Sequence, residues 1–150
     1  MMDPYATHLE ALVQTAMETS GGILELGCGD YSTPILQAIC KVQSRDYKCQ
    51  SSNKHGYWVD RFGGVELITD WETWRPPPGP WGMVFMDSDE STANRVKRIP
   101  LLAEVTDTVV LHDADITMKR DGWPAAQAAF PNVVLFTKYL PHTAVMRKAC

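Results

Sequence analysis

Residues 22–34 read Gly22-Ile23-Leu24-Glu25-Leu26-Gly27-Cys28-Gly29-Asp30-Tyr31-Ser32-Thr33-Pro34. The run 23–26 is short, apolar and preceded by glycine, which marks a buried strand. Residues 27–30 form a turn. Ser32 or Thr33 can cap the helix that follows, with Pro34 in its first turn and Ile35, Leu36 and Ile39 on its buried face. Glycine is required where the backbone turns sharply and where a ligand approaches with no Cβ in the way. A lone G-x-G says little, but after a strand and at the opening of a helix it has the context of a nucleoside-binding turn.

On the N-terminal side, Leu9, Leu12, Val13 and Met17 recur at helical spacing, and Asp3-Pro4 supplies a start signal, so the pattern predicts a helix over 5–19 that ends at Ser20-Gly21. On the other side, 47–51 reads as a strand and 54–62 as a poor helix with Gly56 inside it. Residues 65–68 read as a third strand, and 69–80 as a loop rich in tryptophan and proline. The strongly apolar 81–86 forms a fourth strand ending at Asp87. A helix over 91–104, a fifth strand over 108–111 and a short helix over 124–130 follow. Strands at 133–138 and 143–147, joined by a turn at Pro141, close the chain. Alternating strands and helices predict a doubly wound α/β domain with a mostly parallel sheet and helices on both faces. The final pair has no room for a crossover helix and is therefore antiparallel.

At 150 residues the chain is expected to be one domain, 1–150, large enough to bury a core without staples. The net charge of −4 argues against nucleic acid as the main partner, because phosphate binding favours a basic face. Arg95, Lys97 and Arg98 do cluster, but on a helix their default is a solvated face. Cys28, Cys40, Cys49 and Cys150 form no C-x-x-C pair and fit no zinc ribbon, so they read as thiols acting as small hydrophobes in a reducing compartment. No apolar run has membrane-spanning length and no secretory leader is evident, which gives a cytoplasmic expectation.

Open α/β sheets bind ligands beyond the carboxyl ends of their strands. Five such ends are polar here: 25–32, 51–53, 69–71, 87–90 and 112–115. A dinucleotide would want an acidic residue after the second strand for its ribose, but that position carries Ser51-Ser52-Asn53. Its pyrophosphate would also be repelled by Glu25 and Asp30. Carboxylates flanking the turn suit a cationic sulfonium and ammonium better.

Leu24-Glu25-Leu26-Gly27-Cys28-Gly29, then Phe85-Met86-Asp87-Ser88-Asp89 and Val109-Val110-Leu111-His112-Asp113, resemble the motifs of the class I S-adenosylmethionine-dependent methyltransferases. The resemblance spans nearly the whole chain. It implies a seven-stranded sheet whose last strand is reversed, and a methyltransferase that turns S-adenosylmethionine into S-adenosylhomocysteine. Glu25, Gly27 and Gly29 would hold the methionine end, with Cys28, Tyr31 and Ser32 beside them. Ser52 and Asn53 stand where the family usually grips the ribose with an acid, and Asp70 and Trp71 where it contacts adenine. Gly27→Val is expected to abolish cofactor binding while leaving the fold intact.

Asp87, His112 and Asp113 are the candidate catalytic residues, His112 as a general base. Asp87 and Asp113 also match the two aspartates that hold a divalent cation in catechol-type O-methyltransferases. The third ligand position is Ala114, however, so a metal is not favoured. His8, His55 and His142 carry no partner signal. The acceptor is expected to be a small molecule, with a homo-oligomer as a further option because the domain is bare. The alternative is a degenerate cofactor-binding module acting as a partner subunit without turnover. A dinucleotide oxidoreductase ranks third.

Overall fold

The computed structural model describes residue 3, residues 6–52 and residues 56–150. Its elements in order are α1 (Leu9–Glu18), β1 (Gly22–Leu26), α2 (Ser32–Val42), β2 (Tyr47–Ser51), α3 (Tyr57–Phe62), β3 (Val65–Leu67) and β4 (Trp81–Met86). Then come α4 (Thr92–Leu102), β5 (Thr108–Leu111), α5 (Ala114–Thr117), α6 (Trp123–Ala129), β6 (Asn132–Phe136) and β7 (Thr143–Arg147). The seven strands form one sheet in the order β3-β2-β1-β4-β5-β7-β6. All pairs are parallel except those of β7, which runs against both β5 and β6. The reversed last strand expected from sequence is therefore present.

Strand alternation divides the core between the two faces of the sheet. Ile23, Met83, Phe85, Val110 and Val145 pack under α1 and α2 with Ala11, Leu12, Leu36 and Cys40. Leu24, Leu26, Val84, Met86, Val109 and Leu111 pack under α4 and α6 with Val96, Ile99, Leu102, Trp123 and Phe130. Burial on both faces is why these strands read as near-continuous apolar runs.

Several expected boundaries shift. The N-terminal helix starts at Leu9 and a short turn at 6–8 precedes it; residue 5, the expected start, lies outside the described residues. Its buried residues are Ala11, Leu12, Thr15 and Ala16, while Met17 is exposed. The poor helix over 54–62 begins only at Tyr57, after Gly56 in the left-handed region at φ 69°. A one-turn helix, α5, appears where a loop was expected.

The cysteine reading needs correction. Glu25 pairs with Cys49 in the β1–β2 register, so the turn after β1 lies beside β2, and Cys28 and Cys49 are joined as a disulfide. Cys40 is buried and free, and Cys150 is exposed and free. Cysteine usage thus no longer argues for a reducing compartment. No helix among the described residues is long and apolar enough to cross a membrane.

Leu12 is the one large side chain that α1 buries completely. Leu12→Ala should lower the unfolding free energy by about 2–5 kcal/mol in urea denaturation. A loss below about 1 kcal/mol would mean that α1 is not docked as described.

Candidate functional site

The carboxyl ends of β1, β2 and β4 meet at Gly27. Its N–H donates to the Gln50 carbonyl at 2.8 Å, and the Asp87 N–H donates to the Leu26 carbonyl at 2.9 Å. Gly27 has φ +92°, and a Cβ there would overlap the Asp87 backbone. The expectation for Gly27→Val is therefore corrected: no side chain fits without breaking the β1–β4 junction, so the substitution cannot test binding alone. Gly29 lies outside the left-handed region, and a Cβ there would meet only Ser32 Oγ at 3.2 Å.

Glu25 is fully buried at the end of β1. It accepts hydrogen bonds from Ser32 Oγ at 2.6 Å, Thr33 Oγ1 at 3.1 Å and the Tyr47 hydroxyl. Thr33 Oγ1 also accepts the Gly29 N–H at 3.0 Å. Glu25 therefore fastens the glycine turn to the start of α2. Burial raises its pKa to about 7, against the pull of its three hydroxyl donors.

Beyond this turn lies a cavity of about 450 Å³ lined by Asp3, His8, Cys28, Gly29, Asp30, Tyr31, Trp58 and Asp87. Tyr31 donates its hydroxyl to Asp3 Oδ2 at 2.7 Å, and Asp30 pairs with Arg61 at 2.7 Å. Trp58 belongs to α3, stacked on Phe62 with centroids 5.6 Å apart. A second cavity of similar volume, lined by Ser20, Gly21 and Trp81 among others, sits at the opposite end of the strands. Ligand sites of this sheet type lie at the carboxyl end, which selects the first.

The three expected catalytic residues do converge, but only Asp87 lines the cavity; His112 and Asp113 stand behind it. His112 Nδ1 is 3.1 Å from Asp87 Oδ1 and 3.8 Å from Asp113 Oδ1. Burial alone would lower its pKa, but the Asp87 and Asp113 carboxylates outweigh burial and raise it. Asp113 holds φ +56°, a left-handed conformation that aspartate tolerates better than most residues.

Arg95 reaches into the same cluster. It donates to the Ser88 carbonyl, to the His112 carbonyl at 3.2 Å and to Asp113 Oδ2 at 3.1 Å, and it lies 3.7 Å from Asp87 Oδ1. Arg95 and Arg98 are 5% and 8% exposed, which corrects the solvated-face expectation for these two, while Lys97 is exposed as expected. Both lie on the inward stripe of α4 with Ile99 and Leu102, a spacing that could have revealed them. The guanidinium stands beside both aspartates, where a cation shared by Asp87 and Asp113 would have to compete with it.

His8 was also missed. It is 3% exposed, its ring lies 4.8 Å from that of His112, and neither ring nitrogen has a hydrogen-bond partner among the described residues. Burial, reinforced by His112, lowers its pKa to about 4, so the imidazole is neutral near pH 7. An unpartnered buried donor or acceptor costs about 1–3 kcal/mol. The signal was present, because His8 continues the stripe of Ala11, Leu12, Thr15 and Ala16.

The remaining expected residues stand apart from the cavity. Ser52 donates to Asp89, a bond that joins the loops after β2 and β4 across the end of β1. Asn53 and His55 lie outside the described residues. Asp70 accepts from the Glu72 N–H and the Thr73 hydroxyl within its own turn, at 2.9 and 2.8 Å. Trp71 packs against the core beside Trp74, with ring centroids 5.3 Å apart.

No protein-family model matches the chain, and no curated protein matches it in sequence. Solved structures do match in fold. The T. thermophilus 16S rRNA N2 G1207 methyltransferase in complex with AdoMet and guanosine aligns with TM-score 0.61 at 14% identity, over 93% of this chain. This chain spans only 39% of that protein. The 23S rRNA methyltransferase ErmE aligns with TM-score 0.50 at 14% identity, over 93% of this chain and 68% of its own. The Burkholderia thailandensis 1,6-didemethyltoxoflavin-N1-methyltransferase, with bound 1,6-didemethyltoxoflavin and S-adenosylhomocysteine, aligns with TM-score 0.51 at 13% identity, over 97% and 80%. The chain thus has the Rossmann-like fold of these methyltransferases.

Two outcomes check the roles given to the turn and to Glu25. Gly27→Ala should destabilise the fold by more than about 2 kcal/mol, while Gly29→Ala should cost under about 1 kcal/mol. Equal losses would contradict the contact at Asp87. A carboxyl whose folded pKa exceeds its unfolded value binds more protons when folded, so stability falls as pH rises from about 4.5 to about 7. Glu25→Gln should remove up to about 3 kcal/mol of that fall. An unchanged pH profile of urea stability would show that Glu25 does not titrate there.

Proposed function

We infer that the chain binds S-adenosylmethionine in the cavity beside Gly29 and transfers its methyl group to a small-molecule acceptor. The observation that carries this reading is the lining of that cavity. Three carboxylates, Asp3, Asp30 and Asp87, and two aromatic rings, Tyr31 and Trp58, surround it at the carboxyl end of β1. Carboxylates attract the ammonium and sulfonium charges of the cofactor, and an aromatic face adds a cation–π term. The fold shared with methyltransferases supports the same assignment.

In this reading Gly29 lets the methionine end approach the backbone, and Glu25 acts through Ser32 and Thr33 by holding the turn. Ser52 remains the ribose-side proposal, although its hydroxyl is donated to Asp89 outside the cavity lining. Asp70 and Trp71 remain the adenine-side proposal. The methyl donor carries its own leaving group, so the chain's task is mainly alignment of donor and acceptor. His112, between Asp87 and Asp113, remains the general-base proposal, and it reaches an acceptor oxygen or nitrogen only through Asp87, which alone of the three lines the cavity. The acidic cavity rim disfavours a phosphate backbone, which is why a small acceptor is preferred. The two rRNA methyltransferases among the structural neighbours make RNA the competing acceptor.

Calorimetry with S-adenosylmethionine, S-adenosylhomocysteine and NAD checks this directly. Saturable binding of both sulfur nucleosides and not of NAD is expected, and Trp58→Ala should weaken it about tenfold, or about 1.4 kcal/mol. No heat and no thermal shift with either sulfur nucleoside would sink the assignment and leave a degenerate module acting as a partner subunit. Binding with turnover on RNA but on no small molecule would overturn the acceptor class.

A further inference from the structure

We propose that His8, Asp87 and His112 form a binding site for one divalent transition-metal ion of the zinc class, on the floor of the cleft. The three side chains come from the turn before α1, the end of β4 and the end of β5, and one ligand-type atom from each lies within 4.8 Å of the others. This set differs from the aspartate pair of the sequence reading, because Asp113 is taken by Arg95 at 3.1 Å.

Two independent features point to a ligand. His8 is 3% exposed, yet both its ring nitrogens lack a partner among the described residues. Buried polar atoms are almost always satisfied, so an orphaned imidazole at the wall of a cavity calls for something to bind. His112 Nδ1 lies 3.1 Å from Asp87 Oδ1, an imidazole–carboxylate contact. Two ligands sharing one ion through bonds of ~2.1 Å stand roughly 3.0–3.4 Å apart, so this edge already has the spacing of a coordination sphere. The His8 ligand atom lies within 4.8 Å of these two and must move inward to join them.

The surroundings agree. Thr7 Oγ1 is 3.3 Å from His112 Nε2, placed to accept its N–H and leave Nδ1 free to ligate. Asp87 and Asp113 carry two negative charges against the single positive charge of Arg95, which pairs more closely with Asp113, at 3.1 Å, than with the ligating Asp87 oxygen, at 3.7 Å. His8 and Asp87 both line the cavity, so open coordination positions would face the bound small molecule. Two imidazoles and one carboxylate suit zinc, cobalt or ferrous iron, whereas magnesium prefers oxygen ligands. The site stands on its own geometry. Only its use, gripping an acceptor that offers an oxygen or nitrogen lone pair, rests on the methyl-transfer reading, and with Nδ1 ligated His112 no longer serves there as the base.

The test is titration of the metal-free full chain with Co²⁺ alone, followed by visible absorption, with Zn²⁺ and Mg²⁺ as competitors. One Co²⁺ per chain is expected, without thiolate charge-transfer bands, displaced by Zn²⁺ and not by Mg²⁺ at a hundredfold excess. His8→Gln and Asp87→Asn should each weaken uptake at least tenfold, with metal-free circular dichroism confirming the fold. His112→Gln provides a third variant if either of these fails to fold. The proposal is overturned by absence of saturable uptake, by uptake that survives the substitutions, or by displacement with Mg²⁺. Titration of the metal-free wild type with S-adenosylhomocysteine reads the cofactor assignment separately.

Discussion

The backbone contact between Gly27 and Asp87 is the constraint on which the cleft depends. Three parallel strands end there, and the chain leaving β1 must turn under the chain leaving β4 with no atom to spare. Only glycine offers both the positive φ and the missing Cβ. From that crossing, Cys28 and Gly29 are carried outward to one side, and Asp87 is presented on the other. The buried Glu25 then holds the turn through Ser32, Thr33 and Tyr47, so the first turn of α2 and the edge of β2 are locked to the same point.

Electrostatics organise the opposite wall. Arg95 reaches from α4 to the ends of β4 and β5, bonding two backbone carbonyls and one carboxylate while standing close to a second. A buried guanidinium is costly unless paired; here Nη1 and Nη2 are paired, while Nε has no partner among the described residues, and the pairing ties Arg95 to Asp113 and to the loop at Ser88. Arg98 does the same one turn later with Glu72 and Glu90, each at 3.4 Å. His112 is left between two aspartates, and the N-terminal turn places His8 against it. Positions that a charge count treats as surface thus build the interior of the site.

Much of the fold was legible because its signals are local. The apolar runs of β1, β4 and β5, the prolines and glycines between elements, and the short gap before the last strand each depend on neighbouring residues only. The misses share a different cause. Met17 fits a helical apolar pattern but faces solvent, because α1 meets the sheet along the stripe of Leu12. Cys28 and Cys49 are 21 residues apart and meet only because β1 and β2 pair. Trp58 follows a glycine that weakens any helix forecast, yet its helix forms part of the cavity wall.

By itself the sequence determined the α/β class, the reversed last strand, the glycine turn and the polar strand ends that include Asp87, His112 and Asp113. These follow from residue type and spacing along the chain, which set backbone preference and burial pattern. Only the tertiary structure decided which polar groups face one another: Glu25 turned into the core, Arg95 beside both aspartates, Asp70 held within its own turn, and His8 brought to His112 across 104 residues of chain. Those pairings depend on strand order and on the angle at which each helix crosses the sheet. Both are set by packing between distant segments, which no local pattern encodes.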